Sequence, residues 1–191
     1  PFNTDIDTVR GQETGYATLN PLSAGSQCTL SDGNLGITWS GTSGHSAGST
    51  IPMESGKWYM EFTMGSVGGF IGIIPSTYNN TLNIWPGNST YGTGSYGYYY
   101  TNGQLYQNSS ASAYGDTWTT GDTVAAALDL DEGILTFYKN GVSQGTAASG
   151  LTLDYIFAIG FSDTATGGTP GIVNFGQKPF KFPPPDGFQP L

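Results

Sequence analysis

Leu128-Asp129-Leu130-Asp131-Glu132-Gly133-Ile134-Leu135-Thr136-Phe137-Tyr138-Lys139-Asn140-Gly141-Val142 decides the fold. Leu128 and Leu130, then Leu135 and Phe137, lie two residues apart, so within an extended chain each pair faces one side, toward one core. Asp131-Glu132-Gly133 supplies a turn between the two runs. Asn140-Gly141 supplies a second, because both residues accept the positive φ of a type I′ turn. Lys139 stands at a strand end, where its charge stays solvated. The stretch predicts two consecutive hairpins, fed by the tight turn Gly121-Asp122 ahead of Val124.

Outward from this core the pattern repeats. Asn102-Gly103 separates Tyr96–Tyr100 from Gln104–Tyr106 and predicts another type I′ hairpin. Gly56 to Phe62 alternates, with Trp58, Met60 and Phe62 on one face. Phe70–Ile74 and Tyr155–Phe161 are apolar runs suited to buried strands, and Ile172–Phe175 is the last such run. Gln27–Leu30 and Asn34–Trp39 flank the turn Ser31-Asp32-Gly33. About eleven short strands with regular turns predict an antiparallel β-sandwich. The Gly/Ser-rich residues 40–49 are expected to be a loop. So is the long stretch 75–95, which must cross the outside of the sandwich.

Composition agrees. The 191 residues include 30 Gly, 24 Thr, 18 Ser and 12 Tyr, with only 10% charged. Such a mix forms helices poorly and suits strands and turns. Five cations against fourteen carboxylates leave a net charge of −9. That balance argues against nucleic-acid binding, which draws on clustered Lys and Arg, and against anionic membranes. Pro1–Arg10 lacks a signal-peptide core and no apolar run reaches transmembrane length, so a soluble chain is expected.

The residue types that carry catalysis are sparse. His45, the sole histidine, lies in the Gly/Ser-rich stretch, with nothing to orient it as a triad base. Cys28 has no second thiol, so neither a disulfide nor a zinc site is expected, and a small buried hydrophobe is the simpler reading. Asp129-x-Asp131-Glu132-Gly133 lacks the later bidentate Glu of a calcium loop and reads as a carboxylate turn. Glu61 and Asp129 are both on predicted strands, with nothing to set them in a glycosidase cleft. Gly65–Gly69 lacks the Lys and helix of a phosphate cradle. No catalytic residue, metal or cofactor is expected.

Four segments resemble a SPRY domain: Gly56–Phe62, Tyr98–Gln107, Gly121 through Val142, and Val173–Phe180. The third is the most specific, ordering G-D-x-V, L-D-L, a carboxylate-Gly turn and F-Y-K-N-G-V. The resemblance implies a concanavalin-like sandwich of two antiparallel sheets that serves recognition through its loops, without catalysis. Tyr16–Leu22 and Asn174–Phe180 with the Pro-rich end are also similar to SPRY segments of bacteriophage structural proteins. That likeness implies a virion component, decorating a capsid or forming part of a tail fibre. The expected organisation is an arm or tether at 1–15, the sandwich at 16–182, and a Pro-rich tail at 183–191.

Aromatic residues crowd the region between Trp85 and Tyr114, interleaved with Gly, Ser, Asn and Thr. That palette combines large rigid contact area with adaptable hydrogen bonding. Trp85, Tyr91, Tyr96, Tyr99 and Tyr114 are the candidate binding residues. The expected partners are other virion proteins or a host-surface protein or glycan, with a homo-oligomer or larger assembly. A carbohydrate-binding module is the alternative, because sugars also favour aromatic platforms.

Overall fold

The computed structural model describes residues 15–41, 44–66, 68–78, 82–161, 165–166 and 168–191. The arm expected at 1–15 therefore lies, apart from Gly15, outside the described residues. Among the described residues there are fifteen strands: β1 (Cys28–Ser31), β2 (Gly36–Gly41), β3 (His45–Gly48), β4 (Lys57–Thr63), β5 (Phe70–Pro75), β6 (Tyr96–Tyr99), β7 (Gln104–Gln107), β8 (Ser110–Ala113), β9 (Thr123–Asp129), β10 (Ile134–Lys139), β11 (Val142–Ala148), β12 (Tyr155–Phe161), β13 (Ala165–Thr166), β14 (Gly171–Asn174) and β15 (Gln189–Pro190). One sheet runs β1-β2-β14-β4-β9-β10-β11, with β13 beside β2 and β15 beside β4. The other runs β3-β12-β5-β6-β7-β8. Among the named strands all pairings are antiparallel except the short β15 against β4. The protein is an all-β sandwich of two antiparallel sheets.

Alternation places the core as the sequence predicts. Met60, Phe62, Leu128, Leu135 and Phe137 come from the first sheet; Ile71, Ile73, Tyr98, Phe157 and Ile159 come from the second, and all are buried between them. Leu130 and Trp58 sit at the edge of this cluster, half-buried. The β10–β11 turn has φ of 48° at Asn140 and 82° at Gly141, as a type I′ turn requires. The Asn140 side chain adds two bonds: its carbonyl accepts from Thr123 N at 2.9 Å, and its amide donates to Asp122 at 2.7 Å. Replacing Asn140-Gly141 with Val-Val is therefore expected to cost at least ~2 kcal/mol, from β-branched residues forced to positive φ and two lost bonds. An unchanged urea midpoint would contradict this placement.

Several expectations are corrected. Asn102-Gly103 is not a type I′ turn: only Gly103 takes positive φ, at 66°. Tyr100 N donates to Gly69 O and Tyr100 O accepts from Trp118 N, so the β6 end bonds to neighbouring loops and the hairpin opens wider. The sequence missed β8, because its turn is Asn108-Ser109, with φ of 50° and 62° and no glycine to signal it. His45 is not on a loose loop. It is 6% exposed in β3, opposite Phe161 and ring-stacked on it at 6.2 Å, and burial lowers its pKa. The small residues Ser46, Ala47 and Gly48 read as loop by composition, but they are what a strand under a packed loop requires.

The expected tail at 183–191 closes onto the sandwich. Gln189 and Pro190 pair with Trp58 and Tyr59, and Leu191 is buried with its carbonyl accepting from Ala17 N. Phe180 and Phe188 cover Tyr59, Ala125 and Ala127 on the outer face of the first sheet. The buried Glu61 carboxylate fastens this strap by accepting from Lys181 N and Phe182 N, both at 2.8 Å. Glu61 is thus structurally occupied.

Candidate functional site

The outer face of the second sheet is paved with glycine. Gly48, Gly72, Gly97 and Gly160 leave a trough along β3, β5, β6 and β12. A Cβ on Gly97 would stand 2.1 Å from Pro86 O, and one on Gly160 would stand 2.7 Å from Pro86 Cδ. Residues 82–95 fill the trough as a third layer. Leu82 and Tyr91 pack with Ile74, Ile156 and Ala158 in a second small core. The Ser46 and Tyr91 hydroxyls both donate to Ile84 O, the latter at 3.0 Å. Of the long stretch, residues 79–81 lie outside the described residues, and 82–95 cross the outside of the sandwich as expected but lie pressed onto it.

That packing redistributes the five candidate residues. Tyr91 is 3% exposed and its phenol is pushed up to about 12 by burial, so its ring offers no face to a partner. Tyr96 is half-buried against the main core, and its hydroxyl accepts from Gln107 Nε2 at 2.6 Å. Tyr114 pins the sandwich edge: its hydroxyl donates to Gly145 O at 2.6 Å and accepts from Phe137 N at 3.1 Å. At each of these three positions the ring has a packing or bonding role in the sandwich.

Trp85 and Tyr99 remain together. Tyr99 stacks on Phe70 at 4.4 Å and Trp85 stacks on the same ring at 6.0 Å. Tyr106 meets Phe70 edge-on at 5.3 Å and Tyr99 at 5.8 Å, and Tyr100 joins Tyr99 at 5.2 Å. Phe70 and Tyr99 are buried, whereas Trp85, Tyr100 and Tyr106 each keep part of their surface open. The register explains the cluster: Phe70 pairs with Tyr99, and Tyr106 sits opposite Gly97, which leaves room for the rings. Gly97, opposite Tyr106 in the hairpin, is the signal that marks its ring as outward. Tyr100 leads on through Trp118, at 6.0 Å, into the core.

The remaining chemistry is absorbed. Burial pushes the Cys28 thiol up to about 12, so it is not a thiolate at neutral pH. Asp129 caps its own turn, accepting from Asp131 N at 3.1 Å and Glu132 N at 3.0 Å, and pairs with Lys57 at 2.8 Å. Burial alone would raise this carboxyl, but the ammonium and the two amides outweigh it and hold it below its ordinary range. Among the described residues no helix is long and apolar enough to cross a membrane.

Two facing antiparallel sheets place the chain among the all-β sandwich proteins. Residues 57–177 match the family model of the SPRY domain, and the chain belongs to that family. It is 36% identical over 166 residues to Ran-binding protein 9 of Xenopus laevis, covering 80% of this chain and 29% of that protein. It is 32% identical over 163 residues to the Ran-binding proteins 9/10 homolog of Drosophila melanogaster, covering 80% of this chain and 16% of that protein. Over 89 residues it is 40% identical to the E3 ubiquitin-protein ligase RKP of Arabidopsis thaliana, covering 44% of this chain and 7% of that protein. The chain thus spans less than a third of the length of these relatives. Among solved structures, the SPRY domain of human HERC1 superposes with a TM-score of 0.66 at 18% identity, covering 81% of this chain and 96% of that one. The TRIM65 PSpry domain does so at 0.63 and 16% identity, covering 88% and 98%. These relatives come from animals and a plant, and nothing in them indicates the phage virion context expected from the sequence.

Proposed function

We propose that this chain is a non-catalytic protein-recognition module whose contact surface is the aromatic cluster of Trp85, Tyr100 and Tyr106, set on Phe70 and Tyr99. SPRY domains are protein–protein interaction modules. The observation that carries the reading is the stacking of the half-open Trp85 on the buried Phe70. A rigid aromatic ring with a fixed orientation loses little entropy on binding, the quality shared by interface hot spots. The low charge of the chain suits the same role, since interface centres are depleted of charged residues. The finer reading, a phage capsid or tail-fibre component, rests on sequence resemblance alone and draws no support from the relatives. Glycan recognition has no observation of its own beyond aromatic content.

The test is selection from a displayed random-peptide library, followed by binding measurements on the enriched peptides. Trp85→Leu and Tyr106→Ser are each expected to weaken binding tenfold or more, about 1.4 kcal/mol. Circular dichroism would show that the variants remain folded. Peptides that bind both variants at wild-type strength would move the surface elsewhere. Enrichment of glycans on an array, with no peptide selected, would overturn the protein-partner reading.

A further inference from the structure

Among the described residues two of the four sheet edges are obstructed. The β3 edge is bonded over: Ser46 N donates to Leu82 O, while Gly48 O and Ser46 O accept from Asn20 N and Gly25 N. The β11 edge is broken by two register shifts against β10 and by the left-handed Gly145. The β1 edge, Cys28–Ser31, is half-buried at alternate positions rather than open along its length. The β8 edge is neither bonded over nor bulged, although its own turn, Asn108-Ser109, also takes positive φ. Ser110-Ala111-Ser112-Ala113 is exposed along its whole length and carries neither charge nor proline, the usual devices that keep an edge from pairing.

The hairpin geometry says which groups are free. Gln107 and Ser110 flank the two-residue turn as a hydrogen-bonded pair, so Ser110 and Ser112 direct their backbone groups toward β7. Ala111 and Ala113 then direct theirs to solvent. We propose that this edge is a self-association site, joining the second sheets of two copies of the chain through antiparallel β8–β8 pairing. With Ser112 opposite Ser112, Ala111 of each copy exchanges both backbone bonds with Ala113 of the other. The second copy is the favoured occupant because the strand is self-complementary in this register. Small side chains meet small ones, and Asp116 falls opposite Asn108 rather than another carboxylate. The contact is short, so it belongs with weak, transient interfaces. The overall charge of −9 per copy opposes it at low salt.

The test uses cysteine placement in the whole chain, with Cys28→Ser as background. Ser112→Cys puts two thiols at a non-hydrogen-bonded pair, with Cα atoms roughly 4.5 Å apart, within disulfide reach. Mild oxidation is expected to yield mostly cross-linked dimer, whereas Thr146→Cys on the bulged β11 edge stays largely monomeric. Adding Ala111→Pro removes an outward N–H without touching the β7 ladder and should bring the dimer yield down to that of Thr146→Cys. Sedimentation of the unmodified chain should show its mass rising with concentration, and more steeply as salt is added. Equal cross-linking of Ser112→Cys and Thr146→Cys would overturn the proposal. So would a dimer indifferent to Ala111→Pro, or a chain monomeric at every concentration.

Discussion

Gly97→Ala is expected to destabilise the protein by about 3 kcal/mol, although in most strands this change is neutral or stabilising. Gly97 has ordinary extended φ, so the backbone tolerates alanine. The obstruction is steric: the new methyl would stand 2.1 Å from Pro86 O, 2.8 Å from Pro86 C and 3.0 Å from Phe70 Cδ1. Backbone cannot rotate away as a side chain can, so residues 82–95 must lift from the trough. Overpacking alone costs about 1–3 kcal/mol, and lifting the loop loosens the small core that Leu82 and Tyr91 share with Ile74 and Ile156. Hydrogen exchange should show the loop losing protection ahead of the main sandwich. A midpoint of urea unfolding equal to that of the wild type would mean that the loop does not rest in the trough.

The second large effect is expected at Glu61. Its carboxylate is 3% exposed and holds the strap through the amides of Lys181 and Phe182. Hydrogen bonds to a charged group contribute about 1.5–3 kcal/mol each, and truncation also leaves two partly buried N–H donors unmet. Glu61→Ala is expected to cost about 3 kcal/mol, and Glu61→Gln, which keeps one acceptor oxygen, roughly half of that. Lys181 lies exposed in the strap and is followed by Phe182, so tryptic cleavage after it should accelerate in Glu61→Ala while the rest of the sandwich persists. Cleavage at the wild-type rate would show that the aromatic contacts of Phe180 and Phe188 hold the strap without the carboxylate.

These two positions also mark where reading the sequence stops. Glu61 was visible only as a carboxylate on a predicted strand, since the amides it serves are 120 and 121 residues away. Gly97 was one of many glycines, and its meaning lies in a proline eleven residues earlier that folds back over it. Tyr91 shows the same limit in reverse. A tyrosine among Asn, Thr and Gly looks like surface, yet Ile74, Ile156 and Ala158 on the sheet take it into a small core.

What the sequence determined by itself is what local periodicity and turn chemistry can encode. Alternation within Leu128–Phe137 and Trp58–Phe62 assigned the inward faces, Asn140-Gly141 assigned a turn, and a chain poor in charge and helix formers assigned the all-β class. Each of these depends on neighbours a few residues apart. The tertiary structure alone decided which surfaces remain open. Burial of the 82–95 loop, closure of the C-terminal strap and exposure of β8 depend on contacts between segments distant in the chain. Their signals are absences: a missing Cβ that admits a loop, or a missing charge that leaves an edge free to pair. An absence has no pattern along the chain, and it acquires meaning only when something is packed against it.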